Sequence, residues 1–218
     1  MEHLNFNILW RIFMTKKLIT CSLILTFLFI AIIPTHAKND KKNNLVENQK
    51  QEINKILSDE AKNINYLTEG EYSWDIIIDG KNQGNVTIKN EKNRDESLIQ
   101  PLGNYNVTDG DWTTTYTFDL EVNGEIVLKS YYTISDSASK MNPTGTDDYL
   151  TPPIGYSDDG HSSYHTKYSD TQFMSKGSYT IKLFNINLPL TYTIQSNFLL
   201  IPGGDSSGNN LNVATFVN

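Results

Sequence analysis

Cysteine is nearly absent from this chain, since Cys21 is the only one among 218 residues. It lies in an apolar segment that we expect to be removed from the mature protein, so no disulfide is available to stabilise the mature fold. A lipid anchor would need a cysteine at the far end of that segment, next to the mature chain. Lipid attachment is therefore not predicted.

Basic residues are also scarce, with 18 Lys and Arg against 25 Asp and Glu and a formal net charge of -7. Residues 1–37 contain three of the bases and one of the acids, so the chain from Lys38 onward carries -9. An acidic surface repels nucleic acid and anionic lipid. We predict no nucleic-acid partner, and membrane contact only through an uncleaved N-terminal segment.

Long hydrophobic runs are missing as well. The apolar stretch Leu18–Ile33 has 16 residues, fewer than the roughly 20 that span a bilayer. Lys16 and Lys17 precede it and the small residue Ala37 follows it, an order typical of a secretory signal peptide. We predict that residues 1–37 are a signal peptide with an N-terminal extension, and that the protein is secreted or displayed at the cell surface. An uncleaved anchor is the alternative.

Residues 38–68 are predicted to form a polar and helical arm. Lys38–Asn44 contains no apolar side chain. From Leu45 to Ile64, apolar residues recur at spacings of three, four and seven, which indicates one face of a short amphipathic helix. The pattern leaves open whether this helix packs on the following domain or is a mobile spacer.

From Glu71 the period of the pattern changes to two, as in half-buried strands. The clearest alternation occupies Trp112–Val122 and Ile126–Ile134, which Asn123 and Gly124 separate. Both of these residues tolerate the positive φ that a type I′ turn requires, so we predict a β-hairpin with that turn. One row of side chains on each strand is expected to be buried and the other to face water.

Further short alternating segments, with turn residues between them, continue along the chain. We therefore predict that residues 69–218 form a mainly β domain, an antiparallel β-sandwich or barrel of about eight or nine strands. A signal-peptide helix and the short amphipathic helix would precede it. Asp136–Ser162 interrupts the series because its prolines and glycines leave no usable period. We expect a long irregular loop there, either pinned to the sheet by its apolar side chains or contacting a ligand.

No catalytic, cofactor-binding or metal-binding motif is predicted. Gly204–Gly208 is similar to the nucleophile segment of trypsin-like proteases but has an extra serine, and residues of these types form surface turns. His161 and His165 are four residues apart, which on a strand is about 13 Å and too far to share one metal ion. Both histidines are expected to face solvent.

Aromatic residues are abundant, with twelve Tyr, nine Phe and three Trp. Some of them are out of phase with the buried rows and are predicted to lie on an outer sheet face among lysines and threonines. Exposed aromatics in such surroundings are typical of sugar-stacking β-sandwiches, and equally of a second sheet face that is covered. Four residues are predicted to contact a ligand: Tyr131, Phe184, Tyr149 and Tyr156.

The segment from Gly103 to Asp119, with the strand from Ile126 and the apolar strand Phe198–Ile201, resembles small exported proteins of Gram-positive bacteria. Those proteins carry a C-terminal β-domain of unknown function. The resemblance covers residues 70–218. It implies secretion and a β-domain, and it carries over no catalytic or binding residue.

Together these features favour an extracellular or cell-surface binding and interaction module over an enzyme. Its ligand would be cell-wall carbohydrate or protein, and no cofactor is expected. Two alternatives stay open. A secreted hydrolase of cell-wall or extracellular polymers would bring titratable groups together in one deep pocket. A secreted toxin or antagonist would inhibit the growth of neighbouring bacteria.

Overall fold

A computed structural model describes residues 44–93, 109–121, 123–183, 189–202 and 210–218. The predicted signal peptide, Phe184 and Gly204–Gly208 lie outside these residues. The chain divides into two compact units, residues 1–47 and 48–218. Of the first unit only 44–47 are described, and they begin helix α1, which spans residues 44–59. In the described part of the chain, no helix has the length and apolar character needed to cross a bilayer.

Helix α1 is packed against the β domain, which decides between the two alternatives that its sequence left open. Ile53 is completely buried, and Ile56 and Leu57 are nearly so. The Asn54 side chain donates from Nδ2 to the carbonyl oxygen of Val217 at 2.7 Å and accepts the Val217 N–H at 2.7 Å. Asn54 thus gives the last strand the pair of hydrogen bonds that a neighbouring strand would form.

In the described residues the β domain has nine strands in two antiparallel sheets, which confirms the predicted mainly β fold. After a short 3₁₀ helix at Ala61–Asn63, strands β1 to β5 form the first sheet and β6 to β9 the second, each in sequential order. The strands are β1 Gly70–Ile78, β2 Lys81–Asn93, β3 Gly110–Leu120, β4 Gly124–Ser135, β5 Lys140–Thr151, β6 Tyr156–Ser169, β7 Gln172–Leu183, β8 Pro189–Ile201 and β9 Asn210–Val217.

The predicted hairpin is confirmed as β3 and β4, but its turn differs from the prediction. Leu120 pairs with Gly124, so three residues connect the strands, whereas a type I′ turn centred on Asn123 and Gly124 would leave two. The reason lies in Asn123, whose side chain is completely buried. Its Nδ2 donates to Gln49 Oε1 at 2.7 Å and to Tyr192 Oη at 2.6 Å, which ties the hairpin to α1 and β8.

The irregular loop predicted for Asp136–Ser162 is wrong, because most of this segment forms β5 and β6. Three of its breaker residues, Pro143, Gly145 and Gly160, lie within strands at positions that a strand tolerates. Pro143 lies on β5, an edge strand of the first sheet. One side of an edge strand pairs with no neighbouring strand, so a residue without a backbone N–H is tolerated there. Gly160 follows a register irregularity in β6, and glycine commonly marks such bulges.

The turn between β4 and β5 is left-handed over three consecutive residues. Asp136, Ser137 and Ala138 have φ values of 56°, 58° and 55°, a conformation that costs energy for residues with a side chain. The carboxylate of Asp109 accepts the backbone N–H groups of Ser137 at 3.0 Å and Ala138 at 2.7 Å. These charge-assisted hydrogen bonds offset the strain.

Aromatic rings from both sheets meet in the core. Tyr132 of the first sheet lies 5.5 Å from Phe173 and 5.4 Å from Phe198 between ring centroids, and the two phenylalanines stack at 4.2 Å. All three side chains are almost completely buried. The inner rows of β3 and β4 therefore face the second sheet, and their alternate residues form the outer face on which the candidate site lies.

Candidate functional site

Four side chains of β4 and β5 form a patch on the outer face of the first sheet. Lys129 is paired with Asp147, Tyr131 with Gly145, and Val127 with Tyr149. Because the side chains of every second residue share one face, Lys129, Tyr131, Asp147 and Tyr149 project together. We call these four residues the β4–β5 patch.

Tyr149 is the most exposed member of the patch and is nevertheless held in place. Its side chain is 48% exposed. Its hydroxyl donates to Asp147 Oδ2 at 2.5 Å, and Lys129 Nζ lies 5.1 Å from the centroid of its ring. Since a cation above an aromatic face is attracted to it, the ring is fixed by a contact at its edge and another at its face.

The same carboxylate influences both tyrosines. The hydrogen bond and negative charge of Asp147 raise the pKa of Tyr149 above its ordinary value. Burial, and then the charge of Asp147, raises the pKa of Tyr131. Both hydroxyls therefore stay protonated at neutral pH, and the proton of Tyr149 is already donated to Asp147.

Tyr131 is positioned by the glycine across from it. A Cβ atom on Gly145 would lie 3.6 Å from Tyr131 Cδ2, so the ring covers the gap that the missing side chain leaves. Aromatic residues commonly cover cross-strand glycines in this way. Gly145, which contributed to the prediction of an irregular loop, instead makes room for an aromatic side chain.

Hydroxyl groups surround the patch on the same face. Thr115 pairs with Lys129 and Thr113 with Tyr131 on the neighbouring strand β3. Further along the face, the hydroxyls of Ser73 and Thr87 lie 3.1 Å apart. The outer face thus carries hydroxyl groups together with two aromatic side chains near one edge of the sheet.

The four residues predicted to contact a ligand do not all meet at this patch. Tyr131 and Tyr149 are brought together across β4 and β5. Tyr156 begins β6 in the second sheet and pairs with Leu183. Phe184 lies outside the described residues. Sequence reasoning missed the link between Tyr131 and Tyr149 because it assigned Tyr149 to a loop. Asp147-Asp148-Tyr149-Leu150 is two polar residues followed by two apolar ones, so the two-residue period of a strand is absent there.

A second polar cluster joins the two sheets where β5 and β6 run side by side. His161 Nδ1 lies 2.6 Å from Asp158 Oδ2, and His161 Nε2 lies 3.9 Å from Asp148 Oδ2. The Ser163 hydroxyl donates to Asp148 Oδ1 at 2.7 Å. Sequence reasoning expected His161 only to face solvent and did not find this cluster.

The contacts of this cluster indicate a structural role, which is to link the two sheets. A serine nucleophile needs a hydrogen bond from its hydroxyl to a general base. The Ser163 hydroxyl instead donates to Asp148, and the distance from Asp148 to the His161 ring, 3.9 Å, is too long for a hydrogen bond. No group of three or more His, Cys, Asp or Glu side chains suited to a metal ion occurs in the described ranges. The cluster therefore adds cross-links between β5 and β6.

Comparison of the chain with known protein families, with curated proteins and with solved structures finds no significant match.

Proposed function

We propose that this protein is an exported carbohydrate-binding module and that the β4–β5 patch stacks against sugar rings. The observation that carries the proposal is the half-exposed Tyr149 ring, held by Asp147 and Lys129 on the outer sheet face. A fixed, exposed aromatic side chain loses little conformational entropy when a ligand covers it, so more of the contact energy appears as affinity.

Sugars suit this surface because they have both apolar and polar sides. The C–H groups on one side of a pyranose ring pack on an aromatic face, while its hydroxyls both donate and accept hydrogen bonds. The patch offers the two ring systems of Tyr131 and Tyr149, and the Lys129 ammonium and nearby threonine hydroxyls offer polar partners. Tyrosine is well suited to such contacts because it presents an apolar body and a polar tip.

Export is the second part of the proposal and rests on the order of basic, apolar and small residues over 1–37. Expression of the full chain in a secreting bacterial host, followed by N-terminal sequencing of the medium fraction, tests it. A product that begins near Lys38 is expected. Retention of the full chain inside the cells would contradict export.

Binding is tested by sedimentation with insoluble chitin, cellulose and purified peptidoglycan. We expect the mature chain to be retained by at least one of these polymers. Tyr149→Ala should weaken its affinity about five- to tenfold, the loss expected for an aromatic anchor of this size. The matched control is Tyr168→Ala, because Tyr168 is 56% exposed on the other sheet.

Three results would contradict the carbohydrate proposal. These are the absence of retention on every polymer, an unchanged affinity in Tyr149→Ala, and an equal loss in Tyr168→Ala. The release of soluble reducing sugar during the incubation would instead favour the hydrolase alternative. The toxin alternative stays a prediction, which a growth assay with neighbouring bacteria would test.

A further inference from the structure

A cavity separate from the β4–β5 patch lies between α1 and strand β1. Its volume is about 420 Å³, within the range of small-molecule sites in proteins. Ile56 of α1 and Trp74 of β1 contribute apolar surface to it. The Trp74 ring is supported from behind by Tyr72, with ring centroids 6.4 Å apart and planes 12° apart. We call this cavity the α1–β1 groove.

The charge of the groove is strongly one-sided. Glu52, Asp59, Glu60 and Asp75 line it together with a single base, Lys55. Lys55 Nζ lies 3.3 Å from Glu52 Oε1, so the charges of these two side chains neutralise each other. Within the described part of the chain, the carboxylates of Asp59, Glu60 and Asp75 form no ion pair.

We propose that the α1–β1 groove binds a ligand through an alkylammonium group. An aromatic wall alone would accept many apolar ligands, and carboxylates alone would attract any dispersed cation. Together they match a protonated amine on a hydrocarbon stem. The stem packs on Trp74 and Ile56, and the ammonium group lies near the α1-side carboxylates that line the groove, Asp59 and Glu60. Tryptophan is the aromatic residue that attracts cations most strongly.

Two sources supply this chemistry outside a cell, namely free polyamines and the lysine side chains of extracellular peptides. Inorganic cations are poorer ligands because the apolar wall gives them nothing in return for lost hydration. Neutral ligands of the same shape gain nothing from the three carboxylates. The groove therefore discriminates by charge and by the presence of a hydrocarbon stem.

The test is an NMR titration of the ¹⁵N-labelled chain from Lys38 onward, followed at the Trp74 indole signal. That signal is assigned by its loss in Trp74→Phe. Spermidine and N-acetyl-lysine amide are the two amine probes, and 1,5-pentanediol is the uncharged control. We expect saturable shifts with the amines and none with the diol. A stronger response to spermidine would identify polyamines as the source, and a stronger response to the lysine derivative would identify peptides.

Matched variants separate binding in the groove from attraction to the acidic protein as a whole. Glu60→Gln and Asp59→Asn should each weaken amine binding about two- to fivefold, the range for exposed charge pairs. Glu71→Gln removes the same charge from β1 outside the groove and should leave binding unchanged, as should Tyr149→Ala. The absence of a saturable shift with both amines would overturn the proposal. An equal loss in Glu71→Gln and Glu60→Gln, or an equal response to the diol, would overturn it too.

Discussion

Four tyrosine side chains, Tyr66, Tyr116, Tyr132 and Tyr179, are almost completely buried. Burial is the main cause that raises the pKa of each above the ordinary value of 10.0. Above that value the unfolded chain releases these protons while the folded protein keeps them. The unfolded state then binds fewer protons than the folded state, so the free energy of unfolding falls as the pH rises.

The size of the effect follows from the number of tyrosines. Each contributes about 1.4 kcal/mol per pH unit above its unfolded pKa. Four together lower the free energy of unfolding by about 5 kcal/mol per unit. Since domains are stable by about 5–15 kcal/mol, we expect cooperative alkaline unfolding about one to three pH units above 10. Below pH 10 the contribution of these tyrosines to stability is fully present.

The assay is an alkaline titration followed by tyrosinate absorbance and by circular dichroism. Both signals are expected to change in one transition. Tyr116→Phe is the informative variant. The Tyr116 hydroxyl lies near the Ser196 and Thr215 hydroxyls, which partly counteract the effect of burial on its pKa. No hydrogen bond of ordinary geometry reaches it within the described residues.

Removing this hydroxyl should therefore cost little stability at neutral pH and reduce the alkaline slope by about a quarter, in proportion to one tyrosine of four. Tyr168→Phe, at an exposed position, should leave the slope unchanged. The reasoning is refuted if all tyrosines ionise near pH 10 while the circular dichroism stays native. It is also refuted if Tyr116→Phe unfolds with the slope of the parent chain.

Three further predictions concern folding stability and are measured by urea denaturation. Asn54→Leu removes both hydrogen bonds to Val217 and should lower the free energy of unfolding by about 2–3 kcal/mol. The control is Gln51→Ala, at an exposed position of the same helix. An equal effect of the two substitutions would mean that α1 is not docked through Asn54. Asn123→Ala deprives Gln49 and Tyr192 of their shared donor and should cost about 2 kcal/mol, whereas the exposed Asn212→Ala should change stability by less than about 0.5 kcal/mol. Gly84→Ala places a Cβ 2.0 Å from the carbonyl oxygen of Asp119 at a φ of 136° and should cost about 3 kcal/mol or prevent folding. Gly80→Ala has open space at a φ of 73° and should cost about 1 kcal/mol, so a similar loss at both glycines would contradict the close approach at Gly84.

Two features of the candidate site were predictable from local pattern. Tyr131 is out of phase with the buried row that contains Tyr132, so its outward position follows from the two-residue period of a strand. The β3–β4 hairpin follows from the same period. Tyr149 was not predictable as its partner, because Pro143 and Gly145 obscure the strand that carries it. The strand tolerates Pro143 because β5 is at an edge of the sheet, and it tolerates Gly145 because the Tyr131 ring covers it. Both conditions depend on the tertiary structure.

The sequence by itself determined the mainly β class, the faces of the central strands and the absence of stabilising disulfides, because these depend on spacing and composition along the chain. Only the tertiary structure decided how distant segments meet. It placed Asn54 on the edge of β9, drew Asn123 out of its expected turn position into the core, and brought α1 alongside Trp74 of β1. The physical reason is that a strand pattern specifies which side chains face inward. It does not specify which residues from distant parts of the chain will pack against them.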